Sequence, residues 1–339
     1  MLNKPLVLTM LETLCAEINA TVIYEKEFGY AGYILFEDGR KSMFRGTSFN
    51  VNGQGASAIA KDKYYCSYFL REAGFNVPTE ILVYAPSYIS QMEIKNESVS
   101  RRLSGIPAAL SFSNHQGFPL YIKPNDGTEG KGVLQVKTKH QLEKSLEQSF
   151  EEYPLMLVQK SITGRDYRLV VFNEEILSAY ERIPFRITGN AKHSVDTLIQ
   201  RRLNQLREVG QGRKIDANDP RIDSRLLEMG IQRADVIEQG KSINLLSNAN
   251  LSSGGEAVDI TDKISHSTAK VAIDAANALG LTLAGIDILC DDALVENGKY
   301  TIIEVNSAPV LNGFANSGDN QNAKVMNLYR KLLNHLNKT

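Results

Sequence analysis

Asp287, Glu304 and Asn306 are two carboxylates and an amide set on two apolar runs, Leu283 to Cys290 and Tyr300 to Val305. A turn region ending in Asn297-Gly298 joins these runs as an antiparallel pair of core strands. Facing residues in that pair have numbers that add to an odd value, so Asp287 stands opposite or diagonal to an even-numbered residue. Glu304 and Asn306 are even, and side chains alternate faces along a strand, so all three project from one face of neighbouring strands. An all-oxygen donor set of this kind suits Mg²⁺ held against phosphates. A second candidate is the run Pro124-Asn125-Asp126-Gly127-Thr128-Glu129-Gly130-Lys131-Gly132, the tip of a hairpin between the strands Leu120 to Lys123 and Val133 to Lys137. Its glycines leave backbone N–H groups unobstructed, and Lys123 and Lys131 add charge, so it cradles a polyphosphate. The P-loop pattern GxxxxGK[ST] is absent and no helix opens at these glycines, which excludes both a Walker A loop and a dinucleotide fingerprint. A third candidate, Asn250-Leu251-Ser252-Ser253-Gly254-Gly255, is a small, donor-rich turn of the kind that wraps an anion. Taken singly, each also reads as plain structure: separate strand-end acids, a flexible hairpin, a Ser-Gly turn. Together they form the inventory needed to handle Mg·ATP.

The elements that position these residues alternate between helical and strand periods, with no repeat or low-complexity linker. Residues 1–56 hold a helix over Leu6 to Ile18, strands at Thr21 to Tyr24 and Gly32 to Phe36, and a turn at Asp38-Gly39, ending in the Gly-rich stretch Asn50 to Gly55. Ser57 caps a helix over Ala58 to Ala73 that Gly74 and Pro78 stop, with Lys63 near its start. After the glycine hairpin, Thr138 caps a helix with Leu142, Leu146 and Phe150 on one face, and Leu155 to Gln159 and Tyr167 to Phe172 read as buried strands. Ser194 to Val209 has one apolar face, with Arg201, Arg202 and Arg207 outside it, and reads as a solvated surface helix. Ser267 to Leu279, closed by Gly280, and Met326 to Leu336 complete the helices.

Composition removes other classes. The 339 residues carry 38 Lys+Arg against 39 Asp+Glu, and this balance lacks the basic surplus that neutralising nucleic-acid phosphates requires. At roughly 100–200 residues per domain, the length fits two or three compact units. The longest apolar stretches are about half a membrane span, and the weak N-terminal apolar run is broken by Glu12 with no small-residue cleavage box after it. The expectation is a cytoplasmic protein with no membrane partner. Cys15, Cys66 and Cys290 are far apart in apolar surroundings and read as buried thiols rather than as a disulfide or zinc set. The five histidines lack metal-ligand spacing, and no GxSxG elbow is present.

Further segments fall in a fixed order with those above: Ser57-Ala58-Ile59-Ala60 with Asp62-Lys63, Tyr121-Ile122-Lys123-Pro124 with its glycine loop, Gly164-Arg165-Asp166-Tyr167-Arg168, Arg182-Ile183-Pro184, Asn250 to Gly255, Ala284-Gly285-Ile286-Asp287, and Glu304-Val305-Asn306-Ser307-Ala308-Pro309. Over about residues 57–315 this order resembles the ATP-grasp superfamily, above all the ATP-grasp domains of cyanophycin synthetase and of bifunctional glutathione synthetase. The resemblance implies an α/β fold of α+β lobes, in which a small glycine-loop lobe (about 115–160) and a larger C-terminal lobe with an antiparallel core sheet (about 161–339) hold ATP between them. Residues 1–56 are then a short N-terminal α/β unit and 57–339 the ATP-grasp domain.

Carried over residue by residue, the resemblance implies that Lys63 and Lys123 contact the phosphates and that Gly127, Thr128, Gly130, Lys131 and Gly132 close over them. Gln159, Lys160 and Ile162 then line the adenine pocket and Asp166 holds the ribose. Asp287, Glu304 and Asn306 bind Mg²⁺, two ions in all, while Arg168, Asn250 and Ser252 face the reacting carboxylate. Gln159 departs from the pattern, standing where related ligases often place a Glu near the adenine amino group. The implied reaction is amide formation through an acyl phosphate, between a small-molecule carboxylate and an amine, on an amino acid or short peptide. The implied protein is a homo-oligomer such as a dimer. Two competing readings are a phosphotransferase on the same fold and a non-catalytic nucleotide-binding protein. The sequence does not name the substrates, nor separate Arg186, His193 or Arg221 as substrate contacts from the same residues as surface charges.

Overall fold

A computed structural model describes residues 4–127, 130–209, 211–212 and 214–338. The helix Leu6–Cys15 buries Val7, Leu8, Met10, Leu11, Leu14 and Cys15, an i, i+3, i+4, i+7 stripe that a helix can hide only against a partner. One partner is the four-stranded meander β1 (Thr21–Tyr24), β2 (Ala31–Leu35), β3 (Lys41–Arg45) and β4 (Ser48–Phe49). The other is the helix Asp319–Lys338, whose Leu328, Leu332 and Leu336 share one core with Met10, Leu14, Ile34 and Phe44. The beginning and end of the described chain are thus fastened together, each fully buried leucine contributing about 1.5–3 kcal/mol.

Where the sequence predicts one helix over Ala58 to Ala73, the structure has two, Gln54–Lys61 and Lys63–Glu72. Asp62 breaks them: its backbone is extended (ψ 105°) and its carboxylate accepts from Tyr65 N–H at 2.9 Å, which makes it an N-cap. The break sets Lys63 at the first position of the second helix.

A small lobe is built on β5 (Glu80–Tyr84), β6 (Leu120–Pro124), β7 (Leu134–Val136) and β8 (Leu155–Lys160), in the order β5-β8-β6-β7. β6 and β7 are the expected glycine hairpin, paired Leu120 with Val136 through Ile122 with Leu134. The helices Ile106–Gln116 and Lys139–Ser149 back the sheet over Ala109, Leu120, Ile122, Leu142, Leu146 and Val158. β5 and most of the helix Ile106–Gln116 lie upstream of residue 115, where the sequence sets the start of this lobe. The run Ile81-Leu82-Val83 has no period-2 alternation to announce a strand.

The larger sheet contains β9 (Arg165–Phe172), β10 (Glu175–Ile183), β13 (Glu256–Asp259), β14 (Leu283–Cys290) and β15 (Tyr300–Asn306), in the order β13-β10-β9-β14-β15 and antiparallel throughout. One face, carrying Tyr167, Leu169, Val171, Ala284, Ile286 and Ile288, packs on Ala272, Ala275 and Ala276 of the helix His266–Ala278. The opposite face is divided. Val170, Phe172 and Tyr180 join the core made by the chain's two ends, while the polar residues further along face the small lobe. Between β10 and β13 the chain detours through residues 184–255. This detour holds the ribbon β11 (Arg186–Thr188) and β12 (Ser242–Asn244), the helices Val195–Glu208 and Pro220–Glu228, and its own core around Phe185, Ile199, Leu203, Ile222 and Leu245. Among the described residues no helix is long and apolar enough to cross a membrane.

Candidate active site

Strand register brings the chemistry together. Tyr180 pairs with Arg168, Arg168 with Asp287 and Asp287 with Glu304, so four residues form one row across β10, β9, β14 and β15. Arg182 and Asp166 pair one step along, and Asn306 lies opposite Gly285. Paired residues share a face of the sheet, so the expected trio of Asp287, Glu304 and Asn306 stands on one surface.

That surface is the floor of a cleft of about 560 Å³ whose roof is the small lobe. Lys63, Lys123, Gly127, Gly130, Lys131, Gln159, Lys160, Ile162, Asp166, Asn250, Asp287 and Glu304 all line it. Gly132, Ser252 and Asn306 do not: Gly132 lies against Pro124 and Tyr153, Ser252 sits in the single turn Leu251–Ser253 with its carbonyl accepting from Lys214 N–H at 3.2 Å, and Asn306 stands at the end of β15 opposite Gly285, outside the lining. Thr128 lies outside the described residues. Gly130 has φ +72°, and a Cβ there would stand 2.6 Å from the Asn250 amide nitrogen and 3.3 Å from that of Asn248. The loop tip therefore lies against the Asn250 side chain, and the positive φ is the conformation that favours glycine there.

Asp287 is 1% exposed. Arg168 grips it with two hydrogen bonds, Nε to Oδ1 at 2.6 Å and Nη2 to Oδ2 at 2.7 Å, and Arg182 Nη2 stands 3.0 Å from Oδ2. Burial alone would push its carboxyl up, but the two guanidiniums outweigh burial and hold it below the usual range. Arg182 also donates to Asp166 Oδ1 at 3.0 and 2.6 Å. There burial prevails over the arginine, and the Asp166 carboxyl is raised. Lys63 Nζ lies 3.1 Å from Glu304 Oε1 and donates to the Gly127 carbonyl, tying the helix start to both the floor and the loop. Burial depresses Lys123, against the opposing pull of Glu80 and Glu304.

Two placements correct the sequence expectation. Arg168 does not reach the cleft, because both sides of its guanidinium are committed to Asp287; Arg182, two residues along the partner strand from Tyr180, lines the cleft instead. Position 159 has no carboxylate of its own, and the one beside it, on the neighbouring strand, lies outside the lining of the cleft. Glu80 pairs with Gln159 across β5 and β8 and its Oε2 accepts from Gln159 Nε2 at 2.7 Å. A lone acid before three apolar residues was the only sequence signal for Glu80.

The donor set fits a divalent cation. Its members offer oxygen, two of them as carboxylates, and the side-chain nitrogen of Asn306 is buried without a partner. An amide exchanges nitrogen for oxygen by a half-turn, so this unpartnered end can present an acceptor to a cation.

Two lobes with antiparallel sheets that face each other across a lysine- and glycine-lined cleft define the nucleotide-grasping class of fold. A model of the RimK-like ATP-grasp domain matches residues 233–329. The chain is 27% identical over 278 residues to cyanophycin synthetase of Crocosphaera subtropica, covering 79% of this chain and 30% of that protein. It is 26% identical over 304 residues to the glutathione biosynthesis bifunctional protein GshAB of Desulfotalea psychrophila, covering 80% of this chain and 37% of that protein. The crystal structure of a bifunctional glutathione synthetase from Pasteurella multocida superposes with a TM-score of 0.60 at 21% identity, over 92% of this chain and 42% of that one. The chain thus has the ATP-grasp fold, and its residues 233–329 are similar to the RimK-like ATP-grasp domain. It spans about a third of the length of these curated relatives.

Proposed function

We propose that the chain is an ATP-dependent carboxylate–amine ligase acting on an amino acid or short peptide. The observation that carries this reading is the convergence of Lys63, Lys123 and the glycine loop on the paired Asp287 and Glu304 across one cleft. In this reading Lys63, Lys123 and Lys131 neutralise the ATP phosphates beneath Gly127 and Gly130 of the glycine loop. Gln159, Lys160 and Ile162 hold adenine, and Asp166 shares its carboxylate between Arg182 and the ribose. Asp287, Glu304 and Asn306 hold Mg²⁺, two ions, which supplies charge neutralisation at the transferring phosphoryl group. A carboxylate oxygen of the substrate attacks the γ-phosphorus and the bond to the β-phosphate breaks, giving an acyl phosphate and ADP. The amine nitrogen then attacks the acyl carbon, loses a proton and expels phosphate. Arg182 and Asn250, which line the cleft, face the reacting carboxylate in this reading, with Ser252 behind them in the same turn as Leu251, and Arg168 keeps Asp287 ionised and aimed. Charge stabilisation by pre-set donors suffices for both steps, so no covalent enzyme nucleophile is required.

In the same reading residues 1–56, which share one core with the helix Asp319–Lys338 and the larger sheet, are an N-terminal addition packed on the ATP-grasp domain 57–339, and the protein is a cytoplasmic homo-oligomer such as a dimer; light scattering tests the last point. The reaction is tested by ADP and phosphate release from Mg·ATP with pooled amino acids and short peptides, the products weighed by mass spectrometry. Phosphate release that requires both a carboxylate and an amine, with a product mass equal to their sum less water, supports the ligase. ADP without free phosphate, with a product heavier by one phosphoryl group, replaces it with a kinase.

A further inference from the structure

Thr47 and Asn52, both within residues 1–56, reach across to the segment that follows β15. Thr47 Oγ1 donates to the Ala308 carbonyl at 2.8 Å. Asn52 uses both ends of its amide. Its Nδ2 donates to the carbonyls of Leu283 and Ser307, each at 2.8 Å, and its Oδ1 accepts from the N–H groups of Thr282 and Leu283 at 2.8 and 3.0 Å. The backbone pairing of β14 with β15 ends at Gly285 and Asn306, so the Asn52 side chain takes over the link between the two strands where their own ladder stops. Past this clasp the chain folds back over the sheet: a Cβ at Gly285 would stand 2.9 Å from Pro309 Cβ, and Leu311 and Phe314 enter the core that Met10, Leu14 and Phe44 help to build. Asn306 lies between the anchors. Its side-chain nitrogen is buried without a partner, an arrangement that costs free energy and that a loose strand end would relieve by turning the amide outward. Its backbone is pinned on one side by Gly285 and on the other by the bonds to Ser307 and Ala308, which keeps the amide on the face of Asp287 and Glu304.

We infer that Asn52 and Thr47 are positioning residues for the metal site: they set Asn306 beside Asp287 and Glu304, so that the N-terminal residues complete a site whose ligands all lie outside them. The inference rests on the ligase reading, in which those three residues hold Mg²⁺. Groups one step behind a metal ligand act by fixing its orientation, and removing one lowers metal affinity about 10–100-fold. The residue type at 52 follows from the geometry. An amide carries two N–H donors and two acceptor lone pairs in one plane, and all four are used here. Aspartate would keep the acceptors toward Thr282 and Leu283 but would set an anion against the carbonyls of Leu283 and Ser307. Position 47 needs only a hydroxyl donor, which serine supplies and valine, of nearly the same shape as threonine, does not.

The test is calorimetric titration of the full chain with Mg·ADP and, separately, with ADP in EDTA; the ratio of the two affinities reads the share that the metal contributes. In Thr47→Val and in Asn52→Asp this ratio is expected to fall about tenfold, with ADP alone bound as by the wild-type chain, since the lysine cradle is untouched. Thr47→Ser keeps the donor and is expected to keep the wild-type ratio. Thr47→Val is the deciding variant, because it removes one hydrogen bond from the short connection between β3 and β4 and stays measurable even if Asn52→Asp does not fold. A ratio unchanged in Thr47→Val overturns the inference. So does a loss of equal size for ADP with and without metal, which marks a general loosening of the cleft, and so does a Thr47→Ser that behaves like Thr47→Val. A wild-type chain that gains nothing from Mg²⁺ overturns the metal assignment of the ligase reading itself. A wild-type gain that Thr47→Val retains overturns only the role of the clasp.

Discussion

Arg168 and Asp287 face each other across β9 and β14, joined by two hydrogen bonds of 2.6 and 2.7 Å, and Asp287 is almost wholly buried. Glu304, its neighbour on the other side, is more open and reaches Lys63 at 3.1 Å. The two acids of the proposed metal site therefore differ in their structural weight. Asp287→Asn leaves two buried guanidiniums short of their counter-charge and is expected to cost about 3–5 kcal/mol of stability as well as turnover. Urea denaturation measures it, and an unchanged midpoint contradicts the pairing.

Glu304→Gln removes a charge from a partly exposed pair, for which the structural contribution is about 0–1 kcal/mol. Its expected signature is a nearly unchanged melting temperature with turnover reduced by about a hundredfold or more, the scale of losing one pre-set charge stabiliser. Normal ADP production by this variant excludes Glu304 from the site.

These contrasts show what a sequence discloses. The trio of Asp287, Glu304 and Asn306 was readable because strand side chains alternate, so parity alone assigned their common face. The glycine hairpin was readable because glycine and lysine together are chemically unusual at a turn. The role of Arg168 was not, since its residue number puts it on the same face as Asp287 but does not say whether it reaches past that carboxylate. Asp62 sits within an unbroken helical pattern, and only its capping bond to Tyr65 reveals the break that places Lys63. Glu80 is remote in sequence from Gln159, and strand order, which a single sequence does not encode locally, brings the two side by side.

Glu80 also fixes which end of the Gln159 amide faces the cleft. A carboxylate accepts hydrogen bonds, so it holds the amide nitrogen at 2.7 Å and leaves the amide oxygen for the adenine of the proposed complex. An acceptor at that point matches the exocyclic amino group of adenine and opposes the carbonyl of guanine. Glu80→Gln releases the amide to turn. The ratio of kcat/KM for ATP over GTP is expected to fall about tenfold or more, the cost of a mispaired polar group in a buried site. A ratio that does not move removes Glu80 from nucleotide selection.

The three thiols supply a prediction at alkaline pH. Burial pushes Cys15 and Cys290 up to about 11 and Cys66 up to about 12, from an ordinary value of 9.0. In the native protein all three should resist alkylation at a pH where a free thiol is half ionised, and all three should react once the chain is unfolded. The linkage has a definite sign. Above pH 9 the unfolded chain releases these protons while the folded chain retains them, so the unfolded state binds fewer protons and stability falls as pH rises toward 11. Replacing Cys15, Cys66 and Cys290 by alanine removes this share of the slope, which urea unfolding at two alkaline pH values measures. A slope identical in the triple variant, or a thiol that reacts rapidly in the folded protein, contradicts the burial of these residues.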